Sequence, residues 1–434
     1  MELPHPSSLA DVITDGMIAQ ADIDAAVRAS FGPVTGVEFT GPAPTAPGPE
    51  ADSGELDAPV EVRLHGRTGD PVPVQGVRLA VIRDGVWTWA TTRTEGFSIP
   101  ELREPQPASD DLVRAARTLF GNVPVLLAPH DDTVISVIAV TDPPPSGPLR
   151  SALISGLSAL DERFGTRRAL MGFAAFRGLG YWEDGETVTV ADTSESVALT
   201  LRDGRVTDIA GGMRLDDVRA DALYYSAEHQ LLLDGLFPGT RVTVDLSRAT
   251  AEVTSDSPRH DDALHARAQV IATVTGGTWT WAWADPNLTG SPAVQLIGGL
   301  ERFGLDHGIP ALFRPHLPAE EAHRLGLTDV AKPVTGLWTH AEVPLNPETT
   351  GIVLLDAEAL RLPPPTAQAL TATLHAPADP SLDLRRAVGA YAGYRGVSLV
   401  HATDGAVIPL PTAGERVTLT FGPSGVTAEM GRAD

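Results

Sequence analysis

The sequence predicts an α+β protein of two diverged tandem modules, each a mainly antiparallel sheet with packed helices. Strand-like segments come in consecutive groups, and strand–helix alternation is not sustained, which disfavours a doubly wound parallel sheet. Landmarks of the first half recur in the same order in the second, as in a duplicated unit. The length, 434 residues, suits two or three domains.

The repeat divides the chain into modules 1–212 and 213–434. GVWTWA at 85–90 returns as GTWTWA at 277–282, each closing an apolar stretch. A helix-like segment follows, ending at Phe120-Gly121 and at Phe303-Gly304. A short apolar run then ends at Pro129-His130 and at Pro315-His316, and triple prolines stand at 143–145 and 363–365. RRALMGFAAFRG (167–178) aligns with RRAVGAYAGYRG (385–396), and VALTLRDGRVT near residue 200 aligns with VTLTFGPSGVT near residue 420. The copies differ at a Pro/Gly/Ala-rich loop, 41–58, expected to be mobile and exposed, and at an extra segment of the second module, 314–343.

Within each module the elements follow in one order. An amphipathic helix opens it, LADVITDGMIAQADIDAAVRASFG or ADALYYSAEHQLLLDGLF. Strands follow, with alternation in VEVRLHG, TRVTVDL and ARAQVIATV. The next helix of the second module is expected to start at Ser291 as N-cap with Pro292 first, burying Val294, Ile297, Leu300 and Phe303 and stopping at Gly304 and Gly308. Ser109 with Asp110 and Asp111 opens its counterpart. More strands, a helix holding the RRA segment and a closing hairpin complete the module.

Composition narrows the function. Acidic residues number 56 against 32 basic, a formal charge of -24, which argues against nucleic-acid and anionic-membrane partners. The absence of cysteine excludes disulfides, thiol nucleophiles and Cys-based metal sites. Lys332 is the only lysine, so a Walker-type loop is excluded, and a Schiff base would have to form there. No apolar run reaches membrane-spanning length and no targeting segment is visible, so the cytoplasm is the expected location.

TWTWAWADP at 278–286, with the helix carrying Leu300 and Phe303 and the EEAH stretch at 320–323, resembles a bacterial domain family of unknown function marked by a TWxWAWA-type tryptophan motif. The resemblance covers about residues 221–356 of the second half. The first half keeps Trp87 and Trp89, has Thr91 in place of the third tryptophan and lacks EEAH. The resemblance implies a small α+β domain and no particular reaction.

Trp279, Trp281 and Trp283, at period two, would share one strand face. They form either a core layer or an aromatic wall, with Trp281 and Trp283 as ligand contacts. Arg177 and Arg395 recur at the end of the RRA segment. They suit a buried pair with a carboxylate of the sheet, or, at Arg395, anion binding. His316, Glu320 and His323 are the metal candidates: Glu320 and His323 share a helical face if the segment is helical from Pro318, and His316 would add a third ligand. Acidic residues in a first helical turn also simply complement the helix dipole. His130-Asp131-Asp132 would need a loop to converge on an ion. Tyr225 and His229 are four apart on the opening helix, as an acid/base pair or as residues bridging core and surface. No GxSxG, HExxH, GxGxxG or EF-hand pattern occurs.

These readings favour a non-catalytic binding or interaction protein with a protein partner, in one form an immunity-like neutraliser of a basic partner. No cofactor is called for, and the halves would form a pseudo-dimer within one chain. Two alternatives are a metal-assisted hydrolase centred on the second module, with a divalent cation as cofactor, and a small-ligand carrier with an aromatic pocket.

Overall fold

The computed structural model describes residues 3–39, 56–57, 59–66, 70–256, 263–402, 405–410, 414–422 and 425–432. Of the loop expected at 41–58, only Leu56 and Asp57 fall within them. Asp57 is anchored there, accepting hydrogen bonds from the Thr91 and Thr92 hydroxyls at 2.6 and 2.9 Å. The protein is α+β, in two compact units, Met1–Ala210 and Gly211–Asp434.

The first unit runs α1 (Leu9–Phe31), β1 (Val34–Phe39), β2 (Pro59–Gly66), β3 (Val72–Arg83), β4 (Val86–Trp89), β5 (Gln106–Pro107), α2 (Asp110–Leu119), β6 (Val125–Pro129) and β7 (Val134–Val140). It continues with α3 (Leu149–Ser158), α4 (Thr166–Arg177), β8 (Gly180–Asp184), β9 (Thr187–Ala191), β10 (Ser196–Arg202) and β11 (Arg205–Ile209). The second unit opens with α5 (Leu215–Leu236), β12 (Arg241–Asp245), β13 (Thr250–Thr254), β14 (Leu264–Thr275) and β15 (Thr278–Trp281). Then come α6 (Gly298–His307), α7 (Pro310–Phe313), β16 (His316–Pro318), α8 (Ala319–Arg324), α9 (Leu327–Thr335), β17 (Thr339–Asn346) and β18 (Thr349–Asp356). It closes with α10 (Ala367–Leu374), α11 (Leu384–Arg395), β19 (Val400–His401), β20 (Gly405–Leu410), β21 (Glu415–Gly422) and β22 (Gly425–Arg432).

Each unit holds a large antiparallel sheet around one long central strand. On one edge β3 pairs with β2 along its first half and with β4 along its second, while β7 runs along the other edge. β14 does the same with β13, β15 and β18. Both central strands are bulged at the same place, between Arg78 and Ala80 and between Val270 and Ala272. A bulge re-aims the strand around its helices. Instead of a closing hairpin, each unit ends in a four-stranded meander, β8 to β11 and β19 to β22.

The Trp-Thr-Trp strands build the cores. Trp87, Trp279 and Trp281 have no exposed surface, and each strand's pair meets edge to face, 5.1 Å apart in the first unit and 5.4 Å in the second. Trp89 donates its indole N–H to the Glu101 carbonyl and Trp281 to the Ala311 carbonyl, which satisfies a buried donor that would otherwise cost stability. Trp283 departs from the expected shared face. β15 ends at Trp281, a turn follows, with the Ala284 N–H donating to the Trp281 carbonyl, and Trp283 packs half-buried at the core's margin.

The RRA helices are clamped to the opening helices by two arginines each. Arg168 pairs with Asp15 and Arg386 with Asp221, both at 2.7 Å. Nearer the C-terminal ends, Arg177 lies 3.8 Å from Asp22 and Arg395 lies 3.0 Å from Glu228. Arg177 also donates to the carbonyl of Gly147, two residues past the first triple proline, and Arg395 to the carbonyl of Pro363, the first residue of the second. The carboxylates thus come from α1 and α5 and not from a sheet. Between these anchors α1 is buried on every side from Val12 to Ile23, a central helix in place of the amphipathic one expected.

Three further expectations change. Ser291 does cap a turn, but a single 3-10 turn, and α6 begins only at Gly298, after a non-helical turn at 295–297. Gly304 lies inside α6, where a Cβ would come within 2.6 Å of Leu312, so it permits the close approach of α7, and Gly308 (φ 71°) ends the helix. The Phe-Gly and Pro-His landmarks fall on different elements in the two units. α2 packs on α1 and leads into β6, whereas the helix that packs on α5 and leads into β17 is α9. His130 follows β6, but His316 begins β16.

Candidate functional site

The expected metal ligands do not converge. His316 is exposed, its Nδ1 3.0 Å from the Thr280 hydroxyl, and Glu320 is exposed on α8. His323 stands 4.0 Å from Glu342, with its ring edge-on to Trp279. Among the described residues no group of three or more His, Asp or Glu side chains could hold a metal ion. Trp281 is core, Trp283 is at the core margin, and Arg395 is consumed by Glu228 and the Pro363 carbonyl, so none of the three faces a common pocket. In the first unit His130 Nε2 lies 2.8 Å from the Ser136 hydroxyl while Asp131 caps the turn that follows, so these groups have separate structural partners.

What the second unit brings together is a cleft of about 510 Å³ between α5, the start of β17 and the chain leaving β18. Tyr225 and His229 enter it from α5, one turn apart, with rings 4.8 Å apart. Trp338, on the link between α9 and β17, meets Tyr225 edge to face at 4.6 Å and lies nearly parallel to the His229 ring at 6.4 Å. Tyr394, from α11, extends this aromatic cluster at 5.0 Å from Tyr225 and 4.8 Å from Trp338. Thr339, Leu355 and Leu360 form a buried floor, and Asp356 and Arg361 stand at the rim.

His229 is 7% exposed, and neither ring nitrogen has a hydrogen bond of full geometry; the Leu360 backbone approaches it. Burial, with the charges of Lys332 and Arg395 nearby, pushes its imidazole down to about 4, so at neutral pH it is an uncharged donor and acceptor.

Behind the cleft wall lies the chain's one lysine. Lys332 has no exposed surface; it donates to Asp329 Oδ1 at 2.8 Å and to the Ser226 hydroxyl, which itself donates to Asp329 at 2.7 Å. Burial pulls the ammonium down, opposed by Asp329. Despite its own desolvation, the Asp329 carboxyl is held low by Lys332. His340, on β17, is pushed to about 4 by burial and by Lys332. Deeper in α5, burial raises the Glu228 carboxyl against the pull of Arg395 and the Tyr391 hydroxyl, which donates to it at 2.9 Å. Ser226 sits beside an amine but does not line the cleft, so its hydroxyl ties α5 to α9.

The first unit builds this place differently. Matching Asp15 with Asp221 and Asp22 with Glu228 sets Ala19, Gln20 and Ile23 where the second unit has Tyr225, Ser226 and His229. Gln20 there joins Arg114, Thr118 and Asn122 of the helix region packed on α1. The spacing of Tyr225 and His229 was visible in the sequence. Trp338 and the Asp329-x-x-Lys332 pair were the missed parts, and the only signal for the latter was an isolated lysine three residues after an aspartate.

Residues 216–358 match a family of unknown function (DUF6882). The matched span begins in α5 and ends two residues after β18, so it contains Tyr225, His229, Lys332, Trp338 and Asp356. No curated protein and no solved structure matches the chain.

Proposed function

We propose that the protein is a non-catalytic small-ligand binder made of two diverged copies of one α+β module, with its ligand site in the cleft of the second copy. The observation that carries this reading is His229: an uncharged, nine-tenths-buried imidazole lining an aromatic cleft, with no hydrogen bond of full geometry at either ring nitrogen. An unsatisfied buried polar group costs about 1–3 kcal/mol, which a polar atom of a ligand would offset. The aromatic wall is Tyr225 and Trp338 and not the Trp-Thr-Trp strand. The duplication is supported by the repeated strand pairing, the matched bulges and the paired arginine clamps. The first copy, with Ala19 and Ile23 at the corresponding positions, then acts as a companion.

Saturation-transfer NMR of the full chain with a set of small aromatic and aliphatic fragments tests this. Aromatic fragments should bind, and both Trp338→Ala and Tyr225→Ala should abolish the transfer. Absence of binding at millimolar fragment, or binding unchanged in both variants, would sink the reading.

A further inference from the structure

We infer that the cleft takes a free α-amino acid with a flat apolar side chain, a reading that rests on the cleft being a ligand site. The argument begins at the rim. β18 ends at Asp356, a 3-10 turn at Glu358–Leu360 follows, and the chain leaves it at Arg361. The strand end and the exit of the turn thus place an aspartate and an arginine, Asp356 and Arg361, in the lining of the same cleft, where their carboxylate and guanidinium can meet a ligand. Among the described residues neither has an ion-pair or hydrogen-bond partner, although elsewhere in this unit arginines such as Arg219, Arg386 and Arg395 are paired.

A ligand carrying one charge would satisfy one of these groups and leave the other facing it. A zwitterion satisfies both: its ammonium meets Asp356, and its carboxylate meets the planar fork of Arg361. Leu355, Leu360 and Leu362 line the same cleft as the rings of Tyr225 and Trp338, a lining that suits a planar side chain. His229 then offers one nitrogen to a polar atom on that ring, which favours an indole N–H or a phenol hydroxyl over a bare phenyl ring. The volume lies within the range of small-molecule sites and admits one such molecule.

The test is calorimetric titration of the full chain with L-tryptophan, indole-3-propionate (no ammonium), tryptamine (no carboxylate) and indole. Each single-charge analogue should bind about tenfold more weakly than tryptophan, the scale of one charge-assisted contact at a partly exposed rim. Asp356→Asn should weaken tryptophan and tryptamine but leave indole-3-propionate unchanged. Arg361→Gln should weaken tryptophan and indole-3-propionate but leave tryptamine unchanged. Both substitutions lie at the rim, and circular dichroism checks that the variants fold. If indole or either analogue binds as tightly as tryptophan, and Trp338→Ala abolishes that binding, the amino-acid inference is overturned while the cleft remains a ligand site. If none of the four binds at millimolar concentration, the inference falls together with the reading beneath it.

Discussion

Replacing Asp329 with asparagine should cost the second unit far more than removing the lysine it serves. Lys332 has no exposed surface, and its ammonium rests on the Asp329 carboxylate and the Ser226 hydroxyl. Asp329→Asn leaves a buried charge with a neutral amide and a hydroxyl, a loss of about 3–5 kcal/mol. Lys332→Met instead fills the same volume with an apolar chain and leaves behind a carboxylate that is partly exposed and can be hydrated. That change should cost no more than about 1–2 kcal/mol, because replacing a buried charge by an apolar group of similar shape can approach neutrality. The chain has two units, so a single unfolding transition is a poor gauge, and peptide-resolved hydrogen exchange is the suitable assay. Exchange across α5 and α9 should quicken by about two to four decades in Asp329→Asn and by no more than about one and a half decades in Lys332→Met. Equal effects, or a larger one from Lys332→Met, would refute the idea that the aspartate exists to carry the lysine's charge.

Acidification tests the buried imidazoles. His229 and His340 sit near 4 in the folded chain against 6.5 unperturbed, so the unfolded chain binds more protons between those values. Their contribution is complete above about 6.5 and lost as pH falls through about 4, about 3 kcal/mol for each. NMR titration of the two imidazole C–H signals should give midpoints near 4, and a midpoint near 6.5 for either would contradict the burial argument. Trp281→Phe strands the buried Ala311 carbonyl and opens space beside Trp279, so denaturation should show a loss of about 2–4 kcal/mol from the second unit. A loss below about 0.5 kcal/mol would mean the indole N–H bond contributes little. Gly304→Ala should destabilise α6 against α7, where its new methyl would meet Leu312, whereas Gly299→Ala on the same helix meets nothing and should be neutral or slightly stabilising. Thermal melts of the two variants check the contrast.

The sheets were legible because a half-buried strand writes its burial into period two, as in VEVRLHG and TRVTVDL, which became β2 and β12. Ser109 was legible as a cap because its hydroxyl serves a local backbone N–H. Long-range matching was weaker. Phe-Gly and Pro-His are dipeptides with no obligatory conformation, so they recurred on unlike elements. Arg177 and Arg395 were readable as candidates for buried pairs and Arg168 and Arg386 were not, and the choice between helix and sheet carboxylates depends on tertiary packing. For the site, the i, i+4 spacing of Tyr225 and His229 was readable and the arrival of Trp338 was not. Trp338 lies 109 residues beyond His229 on a link without periodicity. Glu320 and His323 had plausible ligand spacing, yet a two-turn surface helix gave them nothing to converge upon.

The claim that the second unit's cleft is the ligand site is tested most directly by labelling the seven tryptophans with fluorine and titrating the full chain with the aromatic fragments. A Trp338→Phe variant assigns the Trp338 resonance. The account predicts a saturable shift of that resonance, while the buried signals of Trp87, Trp279 and Trp281 stay in place. A titration that leaves Trp338 unmoved, or that shifts a tryptophan of the first unit instead, would contradict it.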